Sequence, residues 1–166
     1  MRTKTSPKSK VFIPSVQLLS DDSCRCVRHT DFGPWTLDFG LTVMNKINLS
    51  DKLSLIKDHW NPRIVGELNG QYVKLVKFIG PFTWHHHDTE DEMFLVVKGR
   101  FCMEFREDGH EQQLWLEEGE FLIVPRGVEH RPVAEEEAHV LLFEPASTLN
   151  TGNVANELTR PRLEWI

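Results

Sequence analysis

Short runs of alternating or continuous hydrophobic residues recur from residue 63 onward, each five to nine residues long. Turn-forming residues, such as Asn69-Gly70 and Asp108-Gly109, separate most of them. Short strands at this spacing are typical of an all-β sandwich or barrel. The predicted strands cover residues 63–68, 71–79, 92–98, 100–106, 112–116, 120–124, 129–134 and 139–144.

Two of these runs predict different surroundings. In 100–106 the apolar residues alternate with polar ones, so this strand has one face in contact with water. In 92–97 both faces are apolar apart from Glu92, so a second sheet or a second subunit is expected to cover the strand.

The segment SDKLSLIKDHW, which starts at Ser50, predicts one short helix before the strands. Ser50 is a suitable N-cap, and Leu53, Leu55 and Ile56 provide apolar positions. Pro62 ends this lead-in, because proline cannot continue a helix. The fold class predicted from the sequence is therefore all-β, with a short N-terminal helix.

Composition divides the chain into four parts. Residues 1–43 show no sustained period and carry six basic and four acidic residues, which leaves 13 basic and 21 acidic residues for the remainder. We therefore predict a dispensable N-terminal extension over 1–43, a helical lead-in over 44–61, a β-domain over 62–146 and an extended C-terminal tail over 147–166. The apolar end of the tail, at Leu163 and Trp165, is expected to dock on the domain.

Charge and cysteine content exclude several classes of protein. The chain has 166 residues, 40% of them hydrophobic, which is enough for a core without disulfides. Its net charge of -6 gives no basic patch, so neither nucleic acid nor a membrane is an expected partner. Three cysteines cannot all pair within one chain, and no apolar run resembles a secretory or membrane segment, so a cytoplasmic location is predicted. Cys24, Cys26 and His29 lack a fourth zinc ligand and are interpreted as incidental.

The segment FTWHHHDTEDEMF raises the question of whether it is a solvated turn or half of a metal site. Alternation along a strand places His85 and His87 on one face and His86 on the other. Glu92 opens the next strand among apolar neighbours, and a buried carboxylate needs a partner. The remaining histidines and acids are interpreted as structural or surface groups: His29, His59, His86, His110 and His139, and the acidic turn of Asp88, Glu90 and Asp91.

Two spacings resemble the motifs of the cupin superfamily. The first is His85-x-His87, four residues, Glu92, six residues and Gly99. The second is Gly119, five residues, Pro125-x-Gly127, two residues and His130. The resemblance covers about residues 62–144 of a small single-domain cupin and implies a β-barrel of the jelly-roll, or double-stranded β-helix, type. Ala134 stands where the second motif often carries asparagine, which removes a polar group but no ligand.

The resemblance implies a metal centre formed by His85, His87, Glu92 and His130. Three imidazoles and one carboxylate suit divalent Fe, Mn, Ni, Co or Zn, whereas Cu(I) prefers sulfur. A six-coordinate ion with these four ligands keeps two open positions. The net formal charge of +1 favours an anionic or enolisable oxygen ligand.

The function predicted from these residues is a metal-dependent cupin enzyme acting on a small polar or anionic metabolite, as an oxygenase, isomerase or lyase. The alternative is a non-catalytic metal-binding or small-molecule-binding cupin that serves as a sensor or accessory protein. A homodimer is expected, because the 92–97 strand and the tryptophans Trp60, Trp84 and Trp115 offer more apolar surface than one small barrel hides. No catalytic residue beyond the ligands is identified, and the predicted pocket residues are Phe82, Trp84, Phe94, Met103, Phe105, Trp115 and Phe143.

Overall fold

The structure, a computed structural model, describes residues 44–166. The predicted extension 1–43, with Cys24, Cys26 and His29, lies outside the described residues. The all-β fold with one short helix is confirmed. Its elements are α1 (Leu49–Leu55), β1 (Arg63–Leu68), β2 (Gln71–Pro81), β3 (Glu92–Lys98), β4 (Phe101–Glu107), β5 (His110–Leu116), β6 (Phe121–Val124), β7 (His130–Pro145) and β8 (Glu164–Trp165).

Strand β7 is the centre of the sheet. On one edge it pairs with β2 along most of its length. On its other edge it pairs first with β4, near His130, and then with β3, from His139 to Phe143. Because β3 and β4 diverge from the same edge of β7, with β6 and β5 beyond them, the sheet folds into two walls around an interior. The hydrogen bonds do not close this sheet into a complete ring.

Strands β2, β4, β5 and β6 differ from their predicted ranges by one or two residues at an end, and two further differences have a clear physical cause. The separate strands predicted over 129–134 and 139–144 are one 16-residue strand, β7, because the exposed acidic segment between them keeps an extended backbone. The N-cap of α1 is Asn48 rather than Ser50. The Asn48 side chain accepts hydrogen bonds from the backbone N–H groups of Ser50 (2.9 Å) and Asp51 (3.3 Å), which leaves Ser50 inside the first turn.

The core has two parts on opposite faces of the sheet. The interior cluster contains Phe78, Phe94, Met103 and Val140, among other side chains of β2, β3, β4 and β7. The second cluster lies on the outer face, where α1 and the residue that follows it cover β1 and β2. Its buried members are Leu53, Ile56, Val65 and Leu75.

The C-terminal tail returns to the sheet and packs on it. Strand β8 pairs in parallel with β1, and the N–H of Ile166 donates to the carbonyl of Ile64 (3.1 Å). The ring of Trp165 lies edge-on to Tyr72, with ring centres 5.5 Å apart. Within residues 44–166, no helix has the length and apolar character needed to cross a bilayer.

Candidate metal centre

The two sequence motifs meet at a backbone bridge between His85 and His130. The N–H of His85 donates to the carbonyl of His130 (3.1 Å), and the N–H of His130 donates to the carbonyl of His85 (2.9 Å). A third bond runs from the N–H of Gly127 to the carbonyl of His87 (2.7 Å). These bonds place the histidines of both motifs in the interior, where the imidazole centres of His85 and His130 are 4.4 Å apart.

Glu92 completes the group of four residues. It is the first residue of β3 and lies opposite Val124 of β6, so its side chain faces the same interior as the histidines. Its Oε2 is 3.3 Å from Nε2 of His87 and 3.5 Å from Nε2 of His130. One ligand atom from each of the four residues lies within 4.8 Å of the others, and all four side chains are buried. The structure therefore brings together all four predicted ligands.

Hydrogen bonds to carbonyl groups set the tautomer of two imidazoles. Nδ1 of His85 donates to the carbonyl of Thr83 (3.0 Å), and Nδ1 of His130 donates to the carbonyl of Val128 (2.9 Å). Because a carbonyl can only accept, each neutral ring carries its proton on Nδ1 and presents the lone pair of Nε2 to the centre. Bonds of this kind orient metal-binding histidines in proteins.

Three buried polar atoms at the centre have no hydrogen-bond partner among the described residues. They are Nε2 of His87, Oε2 of Glu92 and Nε2 of His130. Leaving such atoms unpaired inside a protein costs about 1–3 kcal/mol each, so native proteins pair nearly all of them. A divalent cation bound to the lone pairs removes this cost. The donor set therefore fits a divalent metal ion.

The charge states of the group also suit metal binding. Burial, reinforced by the neighbouring His130, lowers the pKa of His85 to about 4, so its imidazole is neutral at pH 7. Burial opposes ionisation of Glu92, but the ring nitrogens of His130 and His87, 3.5 and 3.3 Å away, outweigh it and hold the pKa of Glu92 below its usual range. A neutral imidazole and an ionised carboxylate are the forms that bind metals.

The C-terminal tail packs directly behind the first motif. The N–H of His86 donates to Oδ1 of Asn153 (3.0 Å), and the N–H of Asn153 donates to the carbonyl of His86 (3.1 Å). Gly152 has a φ of +49° and lies against the backbone of His86. A Cβ atom at this position would be 2.1 Å from the carbonyl oxygen of His86 and 3.3 Å from Cδ2 of His85. Only glycine fits this contact, so the tail fixes the backbone that carries His85.

Sequence reasoning missed a buried ion pair beside the centre. Nζ of Lys74 on β2 lies 2.6 Å from Oε1 of Glu144 on β7, and each side chain is 1% exposed. The alternation of inward and outward residues along both strands could have predicted this ion pair. Lys74 shares the face of Val76 and Phe78, and Glu144 shares the face of Val140 and Leu142, so each charge occupies a core position.

The predicted pocket residues fall into three groups. Phe82 and Phe94 line a cavity of about 30 Å³ next to His85 and Glu92, room for one or two water molecules. Met103 and Phe105 line a larger cavity of about 220 Å³ between β4 and β6. Trp84, Trp115 and Phe143 line neither cavity.

The three aromatic residues outside the cavities have other contacts. Trp84 lies under Arg106 and Arg131, whose guanidinium carbons are 4.1 and 4.9 Å from its ring centre. Trp115 is 40% exposed on β5 and stacks with Arg100. Phe143 points to the outer face of β7, and its neighbour Leu142 occupies the interior position instead.

The histidines outside the motifs are structural or exposed in this fold. Nε2 of His59 and Nε2 of His139 each lie 2.9 Å from a carboxylate oxygen of Glu137. Hydrogen bonds from both rings lower the pKa of Glu137 to about 2. His86 lies 3.1 Å from Asp88, and His110 is exposed, so none of the four faces the metal centre.

Comparison with known proteins identifies the class to which this fold and centre belong. Residues 79–144 match the model of the cupin domain family, a span that contains both motifs. A cupin-2 domain containing protein from Shewanella frigidimarina is 43% identical, with a TM-score of 0.56 over 60% of this chain and 93% of that one. A protein from Neisseria meningitidis is 34% identical, with a TM-score of 0.54 over 61% of this chain and 100% of that one. The chain belongs to the cupin superfamily.

A Bacillus subtilis protein is also similar in sequence to part of this chain. The uncharacterized protein YdbB of Bacillus subtilis (strain 168) is 33% identical over 67 residues, which are 40% of this chain. The matched region spans 57% of the length of that protein. The names of these three similar proteins state no reaction. The evidence for an activity therefore lies in the group of His85, His87, Glu92 and His130.

Proposed function

We propose that the chain is a metal-dependent cupin enzyme that acts on a small polar or anionic metabolite, as an oxygenase, isomerase or lyase. The observation that carries the proposal is the convergence of His85, His87, Glu92 and His130, with three buried polar atoms left unpaired. A divalent ion of Fe, Mn, Ni, Co or Zn would supply Lewis-acid or redox chemistry at this point.

The protein's own groups give this centre its selectivity. Three neutral imidazoles and one carboxylate leave a bound divalent ion with a net charge of +1, which favours an anionic oxygen ligand. The adjacent cavity is lined mainly by apolar groups, including Trp60, Phe78 and Phe82, so it excludes bulk water from the face of His85 and Glu92. Low polarity around the ligands strengthens every electrostatic interaction with a bound oxygen group.

A non-catalytic metal-binding or small-molecule-binding cupin is the second candidate. The observation that favours it is the size of the cavity beside His85 and Glu92, about 30 Å³, which holds water but no metabolite without movement of the surrounding side chains. A sensor or accessory protein needs only the ion or a very small ligand at this place.

Metal analysis of the purified protein, followed by turnover assays, tests both candidates. We expect about one divalent ion per chain, and loss of that ion in His87→Ala and His130→Ala but not in His110→Ala, an exposed histidine of β5. Dioxygen consumption or substrate loss with small carboxylates, enediols and sugar acids would support the enzyme. Stable binding of these compounds without turnover would support the non-catalytic candidate, and wild-type protein that binds no divalent ion would refute both.

We further infer a homodimer that forms through the outer face of β3 and β6. In the register of the two strands Met93 lies opposite Ile123, and Leu95 lies opposite Phe121. Phe121 is 62% exposed and Ile123 is 54% exposed, and Phe143 of β7 extends the same apolar face. Trp60, which the sequence suggested as part of this surface, is buried instead between Phe78 and Phe82 and does not contribute to it.

Light scattering at micromolar concentration measures this assembly. We expect twice the chain mass of 19.3 kDa for the wild type and the single mass for Phe121→Glu/Ile123→Lys. Leu55→Glu, an exposed leucine of α1 away from the face, is the matched control and should stay dimeric. A wild-type mass near 19 kDa at every concentration would refute the dimer.

A further inference from the structure

The inner face of the sheet carries three ionisable side chains in a row across adjacent strands. Lys74 is on β2, Glu144 on β7 and Glu92 on β3. The register of β3 and β7 pairs Met93 with Phe143 and Phe94 with Leu142, so the next pair along the same register is Glu92 with Glu144. Two carboxyl groups therefore lie opposite each other on neighbouring strands, inside the protein.

Such an arrangement is unfavourable unless a positive charge compensates it. Like charges directly opposite on paired strands destabilise a sheet, and burial increases the effect. Burial and the adjacent Glu92 carboxylate raise the pKa of Glu144, whereas Lys74 acts in the opposite direction. Lys74, 2.6 Å from Oε1 of Glu144, is the compensating charge and is itself 1% exposed.

The ion pair of Lys74 and Glu144 is not an effective way to stabilise the fold. A buried ion pair loses much of its attraction to desolvation, and its replacement by apolar groups of similar volume is often neutral or stabilising. The second oxygen of Glu144, Oε2, is buried and has no hydrogen-bond partner among residues 44–166. A purely structural role explains neither the unpaired oxygen nor its place opposite Glu92.

Glu92 has few polar groups around it apart from this neighbour across the register of β3 and β7. Within the described part of the chain, its only polar contacts at salt-bridge distance are with His87 and His130, the other ligands of the centre. Carboxylates that bind metals are usually held by a further polar group behind them. Strand register places Glu144 there, and because two ionised carboxylates cannot hydrogen-bond each other, Glu144 acts on Glu92 through charge repulsion.

We propose that Lys74 and Glu144 are positioning residues for the metal ligand Glu92. Lys74 fixes Glu144, and Glu144 sets the direction in which the Glu92 carboxylate faces the three imidazoles. The inference rests on the proposed metal centre but adds residues that lie outside the donor set. It assigns a role in metal binding to a pair of charges that neither cupin motif contains.

Cobalt(II) titration of four proteins tests the proposal, because its visible absorption reports the ligand geometry independently of any activity. In Lys74→Met/Glu144→Leu the pair is replaced by apolar groups, so we expect native folding but about 100-fold weaker Co(II) binding and a changed spectrum. Glu144→Gln keeps the shape but not the charge, and should bind about 10-fold more weakly. Lys77→Met is the matched control, since Lys77 lies on the opposite face of β2, 3.6 Å from Glu137, and should match the wild type.

The outcomes separate this inference from the function proposed above. Wild-type affinity and spectrum in Lys74→Met/Glu144→Leu would overturn the positioning role and leave the metal centre intact. If that variant does not fold, Glu144→Gln decides: a change in Co(II) affinity below twofold, with an unchanged spectrum, overturns the role. A wild-type protein that binds no Co(II) overturns both proposals.

Discussion

Replacement of Gly152 by alanine is a sharp test of how the tail supports the metal centre. The added Cβ would lie 2.1 Å from the carbonyl oxygen of His86, far inside van der Waals contact, so the backbone of one partner has to move. The left-handed φ of +49° adds about 1–2 kcal/mol for any residue with a Cβ. Overpacking of a close contact costs about 1–3 kcal/mol more. The free energy of unfolding should therefore fall by about 2–5 kcal/mol.

Gly109→Ala is the matched control for this substitution. Gly109 has a φ of +79° in the turn between β4 and β5, but nothing lies within 4 Å of the position of its Cβ. It bears the conformational cost alone, about 1–2 kcal/mol. The difference between the two variants measures the steric contact with His86.

Urea unfolding in EDTA and Co(II) titration together provide the readout. Because the displaced backbone carries His85, we expect Gly152→Ala to bind Co(II) about 10-fold more weakly, whereas Gly109→Ala binds it as the wild type does. If both variants lost the same stability and kept the same Co(II) affinity, the tail would not fix the first motif, and the reasoning from the 2.1 Å contact would be refuted.

Three further predictions follow from the centre and the domain boundaries. Free Co(II) at 1,000 times its dissociation constant should raise the free energy of unfolding by about 4 kcal/mol in the wild type and not in His130→Ala; an equal gain in both would contradict the ligand assignment. In EDTA, stability should fall by up to about 3 kcal/mol from pH 6.5 to 4, since the pKa of His85 is about 4 in the fold and 6.5 ordinarily, so the unfolded chain binds more protons in this window. His85→Gln should show a flatter pH profile, and an unchanged slope would show that other groups cause the dependence. Deletion of residues 1–43 should leave metal content and cooperative unfolding unchanged, and an insoluble product would refute that prediction.

Much of the fold could be predicted from the sequence because turn residues and apolar patterns indicate the same strand boundaries. The predicted bounds of β1 and β3 match the structure, since turn residues flank both runs and their apolar patterns are unambiguous. The two halves of β7 were separated in the prediction because three consecutive glutamates, at 135–137, resemble a loop. Pairing with β2 on both sides of this segment keeps the strand continuous, which is a tertiary effect.

Only those site residues that follow a fixed spacing in the sequence could be predicted. His85, His87, Glu92 and His130 follow fixed intervals in the sequence, and the backbone bridge that joins the two motifs makes those intervals meaningful. Lys74 has no such interval to Glu144, because the two residues are 70 positions apart and meet only through strand register. Phe143 was predicted to line the pocket as an apolar residue of the barrel core, but the alternation of β7 turns Leu142 inward.

The position of β7 after all three strands that it joins imposes an order on folding during synthesis. Strands β1 and β2, or β4 and β5, are hairpins of adjacent segments and can pair in microseconds once they are synthesised. At about 5–20 residues per second, the chain needs roughly 3–10 s to extend from Glu92 to Pro145, the end of β7. Until then β2, β3 and β4 lack the strand that joins them, and His85, His87 and Glu92 lack the fourth candidate ligand, His130. During this interval the apolar interior of the nascent chain is open to solvent, and its incomplete set of candidate ligands is accessible to other metal ions. The rate of translation through residues 92–145 determines how long the interval lasts.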